Sequence, residues 1–144
     1  MIKIICIGKL KEEYLKEGIN DYLKRIGKYH KINIIELPDS NIYDEGNEIL
    51  KHIEAKDYVI TLCIEGNLIS SMELANKIDK TFITNPNITF IIGGSDGIRE
   101  DIKEKSNYKL SFSKLTYPHG LFRLILLEQI YRSFKILNNE TYHK

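Results

Sequence analysis

Leu110–Lys144 reads LSFSKLTYPHGLFRLILLEQIYRSFKILNNETYHK, and the order of residue types in it decides how the chain is organised. A short apolar strand over Tyr108–Phe112 runs into a hydroxyl-rich turn carrying Ser111, Ser113, Thr116 and Tyr117. Pro118 ends the turn, and a helix over Gly120–Leu137 starts directly behind it. Leu121, Phe122, Leu124, Ile125, Leu126, Leu127, Ile130, Tyr131, Phe134 and Leu137 cover nearly the full circumference of that helix. One sheet face cannot cover a helix that is apolar all round, so a second partner is required. In a chain this small a homodimer interface is the simplest one. A basic, aromatic tail, Thr141–Lys144, closes the sequence. Hydroxyls, a histidine and two arginines on so rigid a support point to a binding site.

Upstream, apolar runs alternate with amphipathic ones. Strands are expected over Ile2–Ile7, Lys31–Leu37, Tyr58–Cys63 and Ile88–Ile92, the last nearly all β-branched or aromatic and so buried on both faces. Helices are expected over Glu12–Lys28, from the loop after Ser40 to about Ile53, over Met72–Phe82 behind a cap at Ser70 or Ser71, and over Ile98–Lys105. This alternation predicts an α/β fold, a mostly parallel sheet flanked by helices, in one domain spanning residues 1–144. No repeat, linker or low-complexity segment interrupts it.

Hydrophobic residues make up 42% and charged residues 28%, ordinary values for a soluble globular protein. A net charge of +1 excludes a strong nonspecific field but leaves room for a local basic RNA-binding patch. The opening MIKIICIGKLKEEY is too short in its apolar run for a signal sequence, and no stretch approaches the roughly 18–20 apolar residues of a membrane span. Cys6 and Cys63 fall inside apolar strands without metal or redox spacing, so they are expected as reduced core residues of a cytoplasmic protein. No metal site and no membrane partner are expected.

Open parallel sheets bind ligands beyond the carboxyl ends of their strands. Three such ends are equipped here: Leu62-Cys63-Ile64-Glu65-Gly66, Gly93-Gly94-Ser95-Asp96-Gly97 and Phe112–Tyr117. The glycines let backbone approach a ligand closely, although GGSDG also suits a plain strand-to-helix turn. Neither GxGxxG nor GxxxxGK[ST] occurs, and no GxSxG elbow is present, so dinucleotide, P-loop and hydrolase readings are poor.

Leu62 with Gly66, then IIGGSDG, then LSFSKLTYPH before a helix containing LLEQIYR, and a terminal YHK together resemble the ribosomal RNA large subunit methyltransferase H (RlmH) family. These are small methyltransferases of the SPOUT superfamily, and the match runs from the opening IKIICIGKLKEEY to the end. The resemblance implies an α/β domain whose C-terminal part is tied in a deep trefoil knot, acting as a homodimer. It implies S-adenosyl-L-methionine (SAM) as methyl donor, held by Leu62, Gly93 and the segment Phe112, Ser113, Lys114, Leu115, Thr116 and Tyr117. It further implies methylation at N3 of a pseudouridine in helix 69 of 23S rRNA, on assembled 70S ribosomes. A methyltransferase for another RNA nucleoside and a noncatalytic ribosome-binding protein of the same fold are the alternatives.

Transfer of a methyl group to an imide nitrogen needs alignment and a route for the N3 proton. His119 has two readings, hydrogen bonding at the helix start or a part in substrate binding and proton removal. Arg123 lacks a local partner and is the candidate for catalytic, phosphate or substrate contact, whereas Arg132 can pair with Glu128 one turn earlier. Tyr142, His143 and Lys144 offer an aromatic surface with cations, a combination that holds a looped-out base, and His143 is a further catalytic candidate.

Overall fold

The computed structural model describes residues 1–143. Within them five strands alternate with five helices: β1 (Ile2–Ile7), α1 (Glu13–Gly27), β2 (Ile32–Leu37), α2 (Ile42–Lys51), β3 (Asp57–Leu68), α3 (Ser71–Thr84), β4 (Asn87–Ile92), α4 (Glu100–Lys105), β5 (Tyr108–Ser111) and α5 (His119–Leu137). The strands form one sheet in the order β2-β1-β4-β3-β5, with every pair parallel. The β1-to-β2 and β3-to-β4 connections step one way along the sheet, and the β2-to-β3 and β4-to-β5 connections step the other way. Right-handed crossovers therefore put α1 and α3 on one face and α2 and α4 on the opposite face.

The side-chain alternation of the strands matches that division. Ile4, Cys6, Leu62, Phe90 and Leu110 belong to the core under α1, α3 and α5. Ile5, Ile7, Val59 and Ile91 belong to a second core with Ile49 of α2 and Ile102 of α4. Helix α5 lies between α1 and α3, with Leu126, Leu127 and Ile130 wholly buried. Two flanking helices and the sheet thus cover much of the circumference that the sequence left to a second partner. Leu121, Phe122, Leu124 and Ile125, in its first turns, stay half-buried.

Most boundaries differ from expectation by a residue or two, and at β3, α4 and α2 the difference has a local reason. Strand β3 runs to Leu68 instead of Cys63, because it resumes pairing with β5 after a bulge: Leu62 and Asn67 both pair with Leu110, so Cys63–Gly66 bow out of the ladder. The bulge closes only over a glycine, since a Cβ on Gly66 would lie 2.8 Å from the carbonyl carbons of Lys109 and Leu110. Helix α4 starts at Glu100 instead of Ile98, because the chain first makes a tight turn in which Gly97 N–H donates to the Gly94 carbonyl at 3.0 Å. Helix α2 stops at Lys51, with the His52 N–H returning to the Ile49 carbonyl. Helix α3 is capped by Ser70, which with Glu73 forms a reciprocal capping box.

At the amino ends of the inner strands, Lys3 is buried against Asp57 at 2.6 Å and donates to the His52 carbonyl. Asp57 also accepts from Asn87 and from the Glu54 N–H. Burial pushes the Asp57 carboxyl up, but these donors outweigh it and its pKa lies below the ordinary value. The arrangement ties β1, β3 and β4 together where the strands begin. Cys6 is a core residue whose thiol burial pushes up to about 11.

Candidate active site

The carboxyl ends of β3, β4 and β5 open onto a cleft of about 230 Å³. Its first wall is the β3 bulge, with Leu62, Cys63, Ile64 and Glu65. The second is the turn after β4, with Ile92, Gly93, Gly94 and Ile98. The third is the segment after β5, with Phe112, Ser113, Leu115, Thr116 and Tyr117. Leu110 and Phe122 contribute further apolar surface, and His119 and Lys103 add polar groups to the lining. The three equipped strand ends named from the sequence therefore do converge.

Each wall is held by identifiable contacts. A Cβ on Gly93 would come within 2.6 Å of the Gly97 carbonyl carbon, so the β4 turn is as tight as backbone allows. Ser111 Oγ donates to the Ser113 carbonyl at 3.1 Å, and Leu115 N–H donates to Ser113 Oγ at 2.9 Å, which shapes the loop locally. Phe122 pins that loop to α5, with Phe112 edge-on at 5.2 Å and Tyr117 stacked at 5.8 Å. The charged pair of the lining is Glu65 and Lys103, 2.7 Å apart. The hydrogen bond from Lys103 holds the Glu65 carboxyl below the usual carboxylate range. Burial opposes the charge on Lys103, but Glu65 outweighs it and the net shift is upward.

Of the residues singled out from the sequence, Leu62, Gly93, Phe112, Ser113, Leu115, Thr116, Tyr117 and His119 are brought together in the cleft. Lys114 is exposed and does not line it. Cys63 is half-buried in the cleft wall instead of the core. Arg123 requires a correction. It is 3% exposed, and its guanidinium is engaged internally: Nη1 with Glu36 at 2.7 Å, and Nη2 with the carbonyls of Ile7 and Gly8 at 2.8 and 2.7 Å. It fastens α5 to the ends of β1 and β2, and among the described residues its buried Nε has no hydrogen-bond partner. The missing local partner lay in β2, far away in sequence.

Arg132 does pair with Glu128, at 2.8 Å. The tail folds back along α5 through Asn139, whose positive φ of 55° reverses the chain. Tyr142 donates to Glu128 at 2.8 Å and sets its ring edge-on to Tyr131, while His143 Nδ1 lies 3.1 Å from Arg132. Tyr142 and His143 are therefore not among the residues lining the cleft of their own chain. Lys144 lies outside the described residues. Ile64 and Glu65 lay within a strand end the sequence had named but were given no role of their own, and Lys103 was missed as a cleft residue. Gly66 beside Glu65 was the one available signal, because a glycine inside a strand pattern marks a bulge.

Apolar walls, backbone packed too tightly for a Cβ and an ionised carboxylate suit a nucleoside-bearing ligand such as SAM. Among the described residues, no group of three or more His, Cys, Asp or Glu is placed to hold a metal, and no helix is long and apolar enough to cross a membrane.

Comparison with known proteins bears on the fold and the family. A solved structure described as a probable methylase family protein from Haemophilus influenzae Rd KW20 superposes with a TM-score of 0.61 at 15% identity, covering 99% of this chain and 70% of that one, which is a likeness of fold. The family model described as "Predicted SPOUT methyltransferase" matches residues 1–143. Proteins named ribosomal RNA large subunit methyltransferase H are 50% identical in Clostridium botulinum (strain Alaska E43 / Type E3) and 48% identical in Alkaliphilus oremlandii (strain OhILAs), each alignment covering 99% of both chains. With agreement over its whole length in sequence and fold, the chain belongs to the RlmH family of SPOUT methyltransferases.

Proposed function

We propose that this protein transfers the methyl group of SAM to N3 of a pseudouridine in helix 69 of 23S rRNA, on assembled 70S ribosomes in the cytoplasm. It does so as a homodimer whose C-terminal part is knotted. The observation that carries the reading is the cleft itself, where Leu62, Gly93 and Phe112–Tyr117 meet at the ends of three parallel strands. Family membership supplies the substrate class.

SAM supplies an electrophilic methyl on a sulfonium. The protein's part is to hold donor and acceptor in line and to let the N3 proton leave. Leu62, Ile92 and Leu115 form an apolar slot for the base, while the tight turn at Gly93 and the loop from Phe112 to Tyr117 fix its position. His119 is exposed at the start of α5 and reaches the cleft lining, where an imidazole can orient the incoming base or accept its N3 proton. Tyr142 and His143 lie along α5, outside their own cleft, so in the dimer they act on substrate held by the partner. The half-buried Leu121 and Ile125 near the cleft end of α5 provide apolar surface for that assembly.

The test is titration of labelled SAM into the purified protein and into Gly93→Val, followed by transfer to ribosomes from a strain lacking the gene. Saturable binding by the wild type, lost in the variant, together with methylation that Ile125→Glu abolishes by splitting the dimer, is the expected result. An active monomer would remove the composite site. Absence of SAM binding would leave a noncatalytic ribosome-binding protein.

A further inference from the structure

We infer that Glu65, held in place by Lys103, is the group that recognises the ribose diol of the nucleoside bound in the cleft. The inference rests on the reading of the cleft as a SAM site and adds a specificity determinant to it. Three observations lead there. The β3 bulge exists because Leu62 and Asn67 share Leu110 as partner, and its effect is to swing Ile64 and Glu65 out of the sheet to the cleft wall. Glu65 is the one carboxylate among the lining residues, beside walls that are otherwise apolar, glycine or hydroxyl-bearing. Lys103, from the short helix on the opposite face, takes only Oε1 of that carboxylate, at 2.7 Å. Among the described residues no other side chain donates to Glu65, so Oε2 keeps its acceptor capacity.

A nucleoside in this cleft presents one pair of adjacent donors, the 2′- and 3′-hydroxyls, and an ionised carboxylate is the acceptor that suits them. The Glu65 side chain is 56% exposed and that of Lys103 is 15% exposed. The lysine is thus the anchored member, and the carboxylate is the end that faces incoming ligand. Lys103 is a positioning residue: its contact at 2.7 Å limits the rotamers of Glu65, so less freedom is lost when a hydroxyl pair docks. Its own second contact, Glu100 at 3.6 Å, is exposed and only weakly competes.

The test compares adenosine, 2′-deoxyadenosine and 3′-deoxyadenosine as competitors of labelled SAM on the full-length protein, on Glu65→Ala, Glu65→Gln and Lys103→Met. The wild type is expected to favor adenosine over either deoxynucleoside by about tenfold, the size of a hydrogen bond to a charged group. The preference should vanish in Glu65→Ala and shrink in Glu65→Gln and Lys103→Met, with little change in how the apolar base binds. Thermal unfolding of all three variants near the wild-type temperature is expected, because the pair lies at the cleft surface. Should Glu65→Ala not fold, the same ratio is read from Glu65→Gln. If the wild type binds SAM but the ribose preference is absent, or survives in the variants, the inference falls and the SAM reading stands. If the wild type binds neither SAM nor adenosine, both fall together.

Discussion

Replacing Arg123 by Met tests whether this residue builds the fold or touches substrate. Methionine keeps the apolar stem and removes the guanidinium, leaving the Ile7 and Gly8 carbonyls and Glu36 without their donor. The Ile7 carbonyl is reached in a buried setting, and an unsatisfied buried acceptor costs about 1–3 kcal/mol. The Gly8 carbonyl is partly solvated and adds about 1 kcal/mol. Glu36 is 38% exposed, so water replaces most of its pairing and its share is discounted to roughly 0–1 kcal/mol. The sum is about 3 kcal/mol, comparable to breaking a buried ion pair by removing one partner. A chain of 144 residues unfolds with an entropy of about 0.3 kcal/mol/K, so the midpoint should fall by about 10 °C. Differential scanning calorimetry at fixed protein concentration measures this, alongside SAM titration below the new midpoint. A midpoint within about 2 °C of wild type, with SAM or ribosome binding lost, would refute the structural role and restore Arg123 to the substrate.

Other perturbations separate the remaining contributions. Asp57→Asn should destabilise the protein at neutral pH and flatten its acid limb. The folded carboxyl lies below its ordinary 3.8, so its contribution is complete above that value and is lost as pH falls through the lower folded pKa; unfolding midpoints measured from pH 7 down to pH 2 check the sign. Gly66→Ala forces a Cβ to within 2.8 Å of the Lys109 and Leu110 backbone and should lower both stability and SAM affinity by disturbing the bulge. Equal SAM affinity in that variant would remove the bulge from the site. Ser70→Ala removes the α3 capping box and should cost about 1 kcal/mol, read as a shift of the urea midpoint with unchanged slope. His119→Ala should bind SAM normally, since apolar walls and backbone hold the nucleoside, yet transfer methyl groups more slowly by about 10²-fold or more in single-turnover assays.

The fold was legible wherever local pattern and global position agree. Short, largely apolar runs such as Ile2–Ile7 and Ile88–Ile92 marked strands, and the helical spacing of Leu15, Ile19 and Ile26 marked α1 with its buried face. Strand order was not legible, because the swap that places β4 between β1 and β3 depends on crossovers that no single segment records. In the site, glycines and hydroxyls advertised the backbone-rich walls at Gly93 and Phe112–Tyr117. Glu65 fell within a strand end already named, but its pairing did not show, because Lys103 lies 38 residues on, in a helix whose exposed face looks like any solvated one. Arg123 misled for the same reason, since its acceptors lie 87 to 116 residues away. Long-range pairing of polar groups is the information that periodicity lacks.

The central claim is tested most directly by adding the purified protein and methyl-labelled SAM to free 23S rRNA, separated subunits and 70S particles from a strain lacking the gene, then mapping modified nucleosides by mass spectrometry. Label at N3 of a helix 69 pseudouridine, chiefly in the 70S sample, is the predicted result. Label on a different nucleoside, or none while SAM remains bound, would contradict it.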